Sequence, residues 1–69
     1  MRTLSWQQVC RILERQGFVL RRQRGSHLRY RGIVNGEEKN VTVPRHSTVK
    51  PGTLGDIVNQ SGLPKDLFE

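Results

Sequence analysis

The sequence predicts a small α+β domain with the element order α-β-β-β-α, in which a three-stranded antiparallel sheet carries two helices on one face. Apolar residues repeat with helical spacing near both ends of the chain and with a period of two between residues 18 and 44. Two turn signals, Gly25-Ser26 and Asn35-Gly36, divide that middle stretch into three strands. Such a meander buries one sheet face under helices and leaves the other in water.

The length of 69 residues predicts a single domain over 1–69, with a core over about 5–63 and a short tail over 64–69. A chain of this size buries only about 60% of the surface of its unfolded state, so any site on it is shallow. We expect the tail to form a helical turn that docks Leu67 or Phe68 on the core.

Cysteine and histidine usage argues against several classes of site. The single cysteine, Cys10, excludes an internal disulfide and favours a reducing compartment. With His27 and His46 it does not complete a four-ligand structural zinc site, and we predict neither a metal nor a cofactor. Without an apolar stretch of about 20 residues or a signal-peptide pattern, the sequence indicates a cytoplasmic protein that does not enter a membrane.

The charge is strongly positive. Twelve Lys and Arg against six Asp and Glu give a net charge of +6, which points to a polyanionic partner, either nucleic acid or an acidic protein. Five arginines fall within residues 21–31, a stretch without an acidic residue. The alternative is a solvated basic face that binds no ligand.

The first helix is predicted over about 5–16. Ser5 and Gln8 have the spacing of a capping box, and Gly17 has the position of a left-handed residue after the helix end, followed by Phe18. We assign Phe18 and Trp6 to the core, with base stacking as the alternative for both, and place Val9, Cys10 and Leu13 on the same apolar stripe as Trp6.

Strict alternation in the first strand predicts that its apolar start is buried and its basic end emerges. One face then carries Phe18, Leu20, Arg22 and Arg24. The other carries Val19, Arg21 and Gln23.

The second strand has a cationic face of His27, Arg29 and Arg31 and an apolar face that includes Leu28 and Tyr30. We expect Tyr30 to be buried, with base stacking at a sheet edge as the alternative.

The third strand follows the Asn-Gly turn and ends at Pro44, which lacks a ladder donor. A second helix follows, for which Thr53 and Asp56 have capping-box spacing. Gly62 ends it, and Leu63 is expected to fold back as Phe18 does after the first helix.

His27 is the candidate reactive side chain. Histidine has an ordinary pKa of about 6.5 and exchanges protons near neutral pH. The Gly25-Ser26 turn precedes it, and arginines flank it on both sides. Residues alone leave two interpretations open: an acid–base group acting on a phosphate ester, or a residue that opens a β-strand.

The chain resembles the HicA toxins of bacterial toxin–antitoxin pairs over roughly residues 5–63. The resemblance rests on Gly25-Ser26-His27 opening the second strand, on Val41-Thr42-Val43-Pro44 followed by His46, and on a helix running from Gly52-Thr53-Leu54 to Gln60-Ser61-Gly62-Leu63. It implies a fold like that of double-stranded-RNA-binding domains. It also implies a type II toxin that cleaves mRNA without a metal through His27, and a HicB-type antitoxin that covers the active surface. We expect a monomer when free and a hetero-oligomer with the antitoxin.

RNA brings its own nucleophile, the 2′-hydroxyl, so cleavage requires an acid or base and cations for the phosphate charge. His27 is the expected acid or base, with His46 as a candidate for the second proton transfer. The expected substrate-binding residues are Arg22, Arg24, Ser26, Arg29, Arg31 and Lys50. The alternative is a non-catalytic RNA-binding module of the same fold, which requires the same arginines but not His27.

Overall fold

A computed structural model describes residues 3–69, so residues 1–2 of the expected domain lie outside the described residues. The elements are α1 (Trp6–Arg15), β1 (Val19–Arg24), β2 (His27–Val34), β3 (Glu37–Pro44), α2 (Pro51–Ser61) and a short 3₁₀ helix (Lys65–Phe68). The strands form one antiparallel sheet in the order β1-β2-β3. The predicted fold class and element order are confirmed.

Helix α1 has the ends that the sequence predicts. The Gln8 N–H donates to the Ser5 Oγ at 3.2 Å, and the Ser5 N–H donates to the Gln8 Oε1 at 2.8 Å, which completes the capping box. At the other end Gly17 has φ +89°, and the Phe18 N–H donates to the Leu13 carbonyl at 3.0 Å. This Schellman ending reverses the chain into the sheet.

The two hairpin turns also form where predicted. Gly25 has φ +58° and is followed by Ser26, the arrangement of a two-residue turn with glycine first. Asn35 and Gly36 have φ +52° and +80°, as a type I′ turn requires.

The core lies between one face of the sheet and both helices. Buried side chains of β2 and β3 form one cluster with those of the helices, whereas His27 and Arg29 on the opposite face of β2 are exposed. The cluster consists of Leu4, Val9, Cys10, Leu13, Phe18, Leu28, Tyr30, Val41, Val43, Val49, Leu54, Ile57 and Phe68. Trp6 packs against it but is only half-buried. Among residues 3–69, no helix is long and apolar enough to cross a membrane.

The predicted faces of β1 are wrong in two respects. Phe18 is buried, but Leu20 is 44% exposed, because β1 is an edge strand and the helices contact β3 at the other side of the sheet. In addition, a β-bulge at Arg21 interrupts the alternation between Leu20 and Arg22. Leu20 lies opposite Tyr30, on the helix side, and Arg22 lies opposite Arg29, on the open side. Without the bulge, Arg22 would share the face of Leu20.

Helix α2 begins before Thr53, the N-cap residue that the sequence predicted. Its first residue is Pro51, at a position where the missing N–H of proline breaks no helical hydrogen bond. The N-cap is Lys50, whose side chain makes no capping bond. Because Thr53 lies inside the helix, the expected capping box of Thr53 and Asp56 does not form. Gly62 ends the helix with φ +70° as predicted.

The chain after α2 differs from the Schellman ending of α1. The Leu63 N–H donates to the Ser61 Oγ at 3.1 Å, and the fully buried Ser61 hydroxyl donates to the Val58 carbonyl at 2.9 Å. In the tail, Phe68 is fully buried, as expected, and Leu67 is 38% exposed.

Candidate functional site: a cationic pocket on the open face

The open face of the sheet contains a cavity of about 330 Å³ at the end nearest the β1–β2 turn. Its lining residues are Arg22, Arg24, His27, Arg29 and Thr42. The volume lies at the small end of the range for ligand pockets. Four of the lining residues were predicted from the sequence as site residues, and the structure brings them together.

The strand register explains why these side chains converge. Arg22 lies directly opposite Arg29, and Arg24 lies directly opposite His27. Residues opposite one another in an antiparallel pair project from the same face of the sheet. The bulge at Arg21 is what places Arg22 and Arg24 on that face. The tight turn at Gly25 then brings His27 next to Arg24.

The pocket is positively charged and lacks an internal counter-charge. None of its lining residues is acidic, and within residues 3–69 no carboxylate lies in ion-pair range of Arg22, Arg24 or Arg29. Like charges directly opposite one another destabilise a sheet. The placement of Arg22 opposite Arg29 therefore lowers the stability of the sheet. An anion bound between the two guanidiniums would offset this loss.

Arg31 shares the open face but differs from the other arginines. Its Nε lies 3.1 Å from the Glu38 Oε2 on β3, and its guanidinium also donates to the Glu38 Oε1 at 3.1 Å. The bonds from Arg31 lower the pKa of the Glu38 carboxyl, with a further contribution from Asn40. The positive charge of Arg31 is thus already paired with the carboxylate of Glu38, and Arg31 does not line the pocket.

The remaining predicted residues lie outside the pocket lining. Ser26 lies in the turn before His27, and its carbonyl accepts a hydrogen bond from the Arg45 N–H at 2.6 Å. Lys50 is exposed at the start of α2. His46 is exposed and is not among the lining residues.

Thr42 is a lining residue that the sequence analysis did not identify. It is half-buried on β3 directly opposite Arg29, and its N–H donates to the Gln60 Oε1 of α2 at 3.0 Å. This bond gives a partner to a backbone N–H on the outer edge of β3, where no further strand pairs with it. Alternation places Thr42 on the polar face of its strand, but only the β2–β3 register shows that this position adjoins the arginines.

The fold and the site together define a small basic α+β protein with a cationic pocket and an exposed histidine. Comparison with family models identifies it further: the family described as the HicA toxin of bacterial toxin–antitoxin pairs matches residues 6–63. The chain therefore belongs to the HicA toxin family, as the resemblance predicted. Membership makes it the toxin of such a pair and implies an antitoxin partner. Comparisons with curated proteins and with solved structures found no match.

Proposed function

We propose that this toxin is a metal-independent endoribonuclease that cleaves mRNA at the cationic pocket, with His27 as the general acid or base. The observation that carries the proposal is the pairing of Arg22 with Arg29 and of Arg24 with His27 around one cavity. Three unpaired guanidiniums suit a phosphodiester, because planar donors bind phosphate oxygens in pairs. The family membership supports a toxic activity but does not by itself specify RNA cleavage.

The reaction is an internal transfer of the phosphoryl group. The 2′-oxygen of the ribose attacks the adjacent phosphorus, a 2′-O–P bond forms, and the P–O5′ bond breaks. The products are a 2′,3′-cyclic phosphate and a free 5′-hydroxyl. One proton leaves the 2′-hydroxyl and one is delivered to the 5′-oxygen, so neither water nor a redox partner is consumed.

The residues predicted from the sequence have distinct roles in this scheme. The exposed imidazole of His27 takes the proton from the 2′-hydroxyl or supplies the one for the leaving oxygen. Arg22, Arg24 and Arg29 stabilise the charge that develops on the phosphorane oxygens. The Ser26 turn holds His27 beside Arg24. Lys50 contacts a flanking phosphate rather than the reacting one, and Arg31 does so more weakly, because Glu38 already pairs with it.

The antitoxin partner is proposed to be of the HicB type and to neutralise the toxin by covering the open face. The pocket opens at the sheet surface, and its net positive charge attracts an acidic protein surface as well as RNA. We expect the free toxin to be a cytoplasmic monomer and the neutralised form to be a hetero-oligomer.

The decisive experiment is cleavage of a defined mRNA in EDTA by the wild type, His27→Ala and His46→Ala. His46, which the sequence suggested for the second proton transfer, lies outside the pocket and is therefore the matched control, since it is also an exposed histidine. We expect His27→Ala to lose roughly 10²–10⁴-fold in cleavage rate, the usual contribution of one positioned acid or base. It should still bind RNA, because the arginines remain. His46→Ala should cleave like the wild type.

Two results would contradict the proposal. If wild type and His27→Ala bind RNA equally and neither cleaves it, the protein is a non-catalytic RNA-binding module. If cleavage persists in His27→Ala and disappears in His46→Ala, the chemistry lies outside the pocket. Equal thermal stability of the variants excludes unfolding as the cause in either case.

A further inference from the structure

Among the Phe, Tyr and Trp side chains of residues 3–69, Trp6 is the one that retains substantial exposed surface. Phe18, Tyr30 and Phe68 are 2%, 3% and 0% exposed, whereas Trp6 is half-buried at the start of α1. The cationic pocket is lined by arginine, histidine and threonine and contains no Phe, Tyr or Trp. Besides the imidazoles of His27 and His46, the indole of Trp6 is the ring of residues 3–69 that offers a stacking surface, and it is the largest of the three.

Arg45 lies over the Trp6 ring. Its guanidinium carbon is 4.9 Å from the ring centroid, within the range of a cation–π interaction. Arg45 is exposed, and within residues 3–69 no carboxylate lies in ion-pair range of it. The stack thus holds a charged side chain in place while leaving it accessible to a ligand.

The stack is connected to the turn that carries His27. The Arg45 N–H donates to the Ser26 carbonyl at 2.6 Å, and the preceding residue, Pro44, lies opposite His27 across the β2–β3 pair. The Trp6 N–H donates to the His46 carbonyl at 3.2 Å, which attaches the start of α1 to the same segment. The stack therefore adjoins the pocket at the end of the sheet where the β1–β2 turn lies.

We propose that Arg45, stacked on Trp6, forms a second RNA subsite that holds the base of a nucleotide next to the one in the cationic pocket. The base stacks on the outward side of the Arg45 guanidinium. Unpaired bases of single-stranded RNA stack on aromatic rings and on arginine planes, with little dependence on base identity. The pocket supplies phosphate binding, and the stack supplies a base contact beside it. This inference rests on the proposed RNA substrate.

Trp6 is the only tryptophan of the chain, so its fluorescence reports on this subsite alone. The probes are a short single-stranded RNA and a ribose-phosphate oligomer of equal length without bases. Both are titrated into His27→Ala, which leaves the RNA intact. We expect the RNA to change the Trp6 emission at saturation and the base-free oligomer to leave it nearly unchanged, although both occupy the cationic pocket.

A variant pair separates stacking from charge. Arg45→Lys keeps the charge and the backbone bond to Ser26 but removes the planar group. Arg15→Lys is the control, since Arg15 is exposed in the last turn of α1. We expect Arg45→Lys to weaken RNA binding roughly 5- to 150-fold, the usual effect of losing one stacked base. The dependence of its affinity on salt should not change, because the number of charges is the same. Its affinity for the base-free oligomer should match that of Arg15→Lys.

Several outcomes would overturn the inference. If saturating RNA leaves the Trp6 emission unchanged, the subsite does not exist. The same conclusion follows if Arg45→Lys binds RNA as tightly as Arg15→Lys. Equal loss of affinity for RNA and for the base-free oligomer would show a backbone or structural effect instead. If the wild type still cleaves RNA in any of these cases, only the proposal of a second subsite is contradicted. If the protein binds no RNA at all, the proposed function is contradicted as well.

Discussion

The ring of Phe18 lies directly against the backbone of Gly32, so that a Cβ atom built on Gly32 would be 2.6 Å from the Phe18 Cγ. Phe18 is the last residue of the Schellman ending of α1, and Gly32 lies in β2. Because Gly32 has no side chain, the Phe18 ring can pack against β2 at the point where the chain leaving α1 enters the core. Phe18 is 2% exposed as a result.

Gly32→Ala should destabilise the fold by about 1–3 kcal/mol, because the added methyl group overlaps a buried ring that has little room to move. Gly55→Ala is the control, since nothing lies within 4 Å of a Cβ built there and Gly55 is inside helix α2. It should raise the free energy of unfolding by up to about 1 kcal/mol. Urea unfolding of both variants measures the difference, and equal effects would contradict the packing argument.

Gly25→Ala and Gly17→Ala should each cost about 1–2 kcal/mol, because both glycines have positive φ, at +58° and +89°. No atoms crowd either position, so the cost is conformational. Only Gly25→Ala should also weaken RNA binding, since Gly25 lies between Arg24 and His27. Affinities measured where both variants remain folded test this. A Gly17→Ala variant that loses RNA affinity equally would contradict the turn's role in shaping the pocket.

Single glutamine substitutions of the open-face arginines should not be equivalent. In the His27→Ala background, Arg22→Gln and Arg29→Gln should each lower the salt dependence of RNA binding by about 0.7 in the log–log slope, as expected for one lost phosphate contact on a single strand. Arg31→Gln should have a smaller effect, because Glu38 already matches its charge. Arg11→Gln, on the exposed surface of α1, is the control. Identical slopes for all four would indicate that binding is not localised at the pocket.

Tyr30 should resist ionisation until the protein unfolds. Burial raises its pKa well above the ordinary value of 10.0, and its contacts with Cys10 and Glu14 add to the shift. The hydroxyl donates to the Glu14 Oε2 at 2.8 Å, a bond that the phenolate lacks. An unfolded tyrosine loses its proton near pH 10.0 while the folded one keeps it. The resulting stabilisation is fully present below that pH and declines as the pH rises above it.

The test of this alkaline behaviour is simple because Tyr30 is the only tyrosine. Ultraviolet absorbance follows the phenolate, and circular dichroism follows the fold in the same titration. The two transitions should coincide. Phenolate absorbance that appears near the ordinary pKa with the fold intact would contradict the buried hydrogen bond.

Much of the candidate site was predictable because it depends on alternation within one strand. His27 and Arg29 share a face of β2 at any register, and the structure confirms that both are exposed there. Arg22 and Arg24 were predicted as site residues and line the pocket, but the predicted face of β1 placed them with Leu20. The bulge at Arg21 changes that face, and no residue type in β1 marks its position. Thr42 and Arg45 were not identified, because their proximity to the pocket arises from the register of β3 and the path of the chain after it.

The sequence by itself determined the order of the elements, the ends of α1 and the positions of both hairpin turns. Each depends on a residue and its near neighbours in the chain: the Ser5 and Gln8 capping box, or a glycine that takes a positive φ. Only the tertiary structure decided which arginines meet around His27, and that Arg31 is matched by Glu38 while Arg22 faces Arg29. Those contacts join residues on different strands. They depend on the bulge and on the strand register, both of which the packing of the whole sheet against its helices selects.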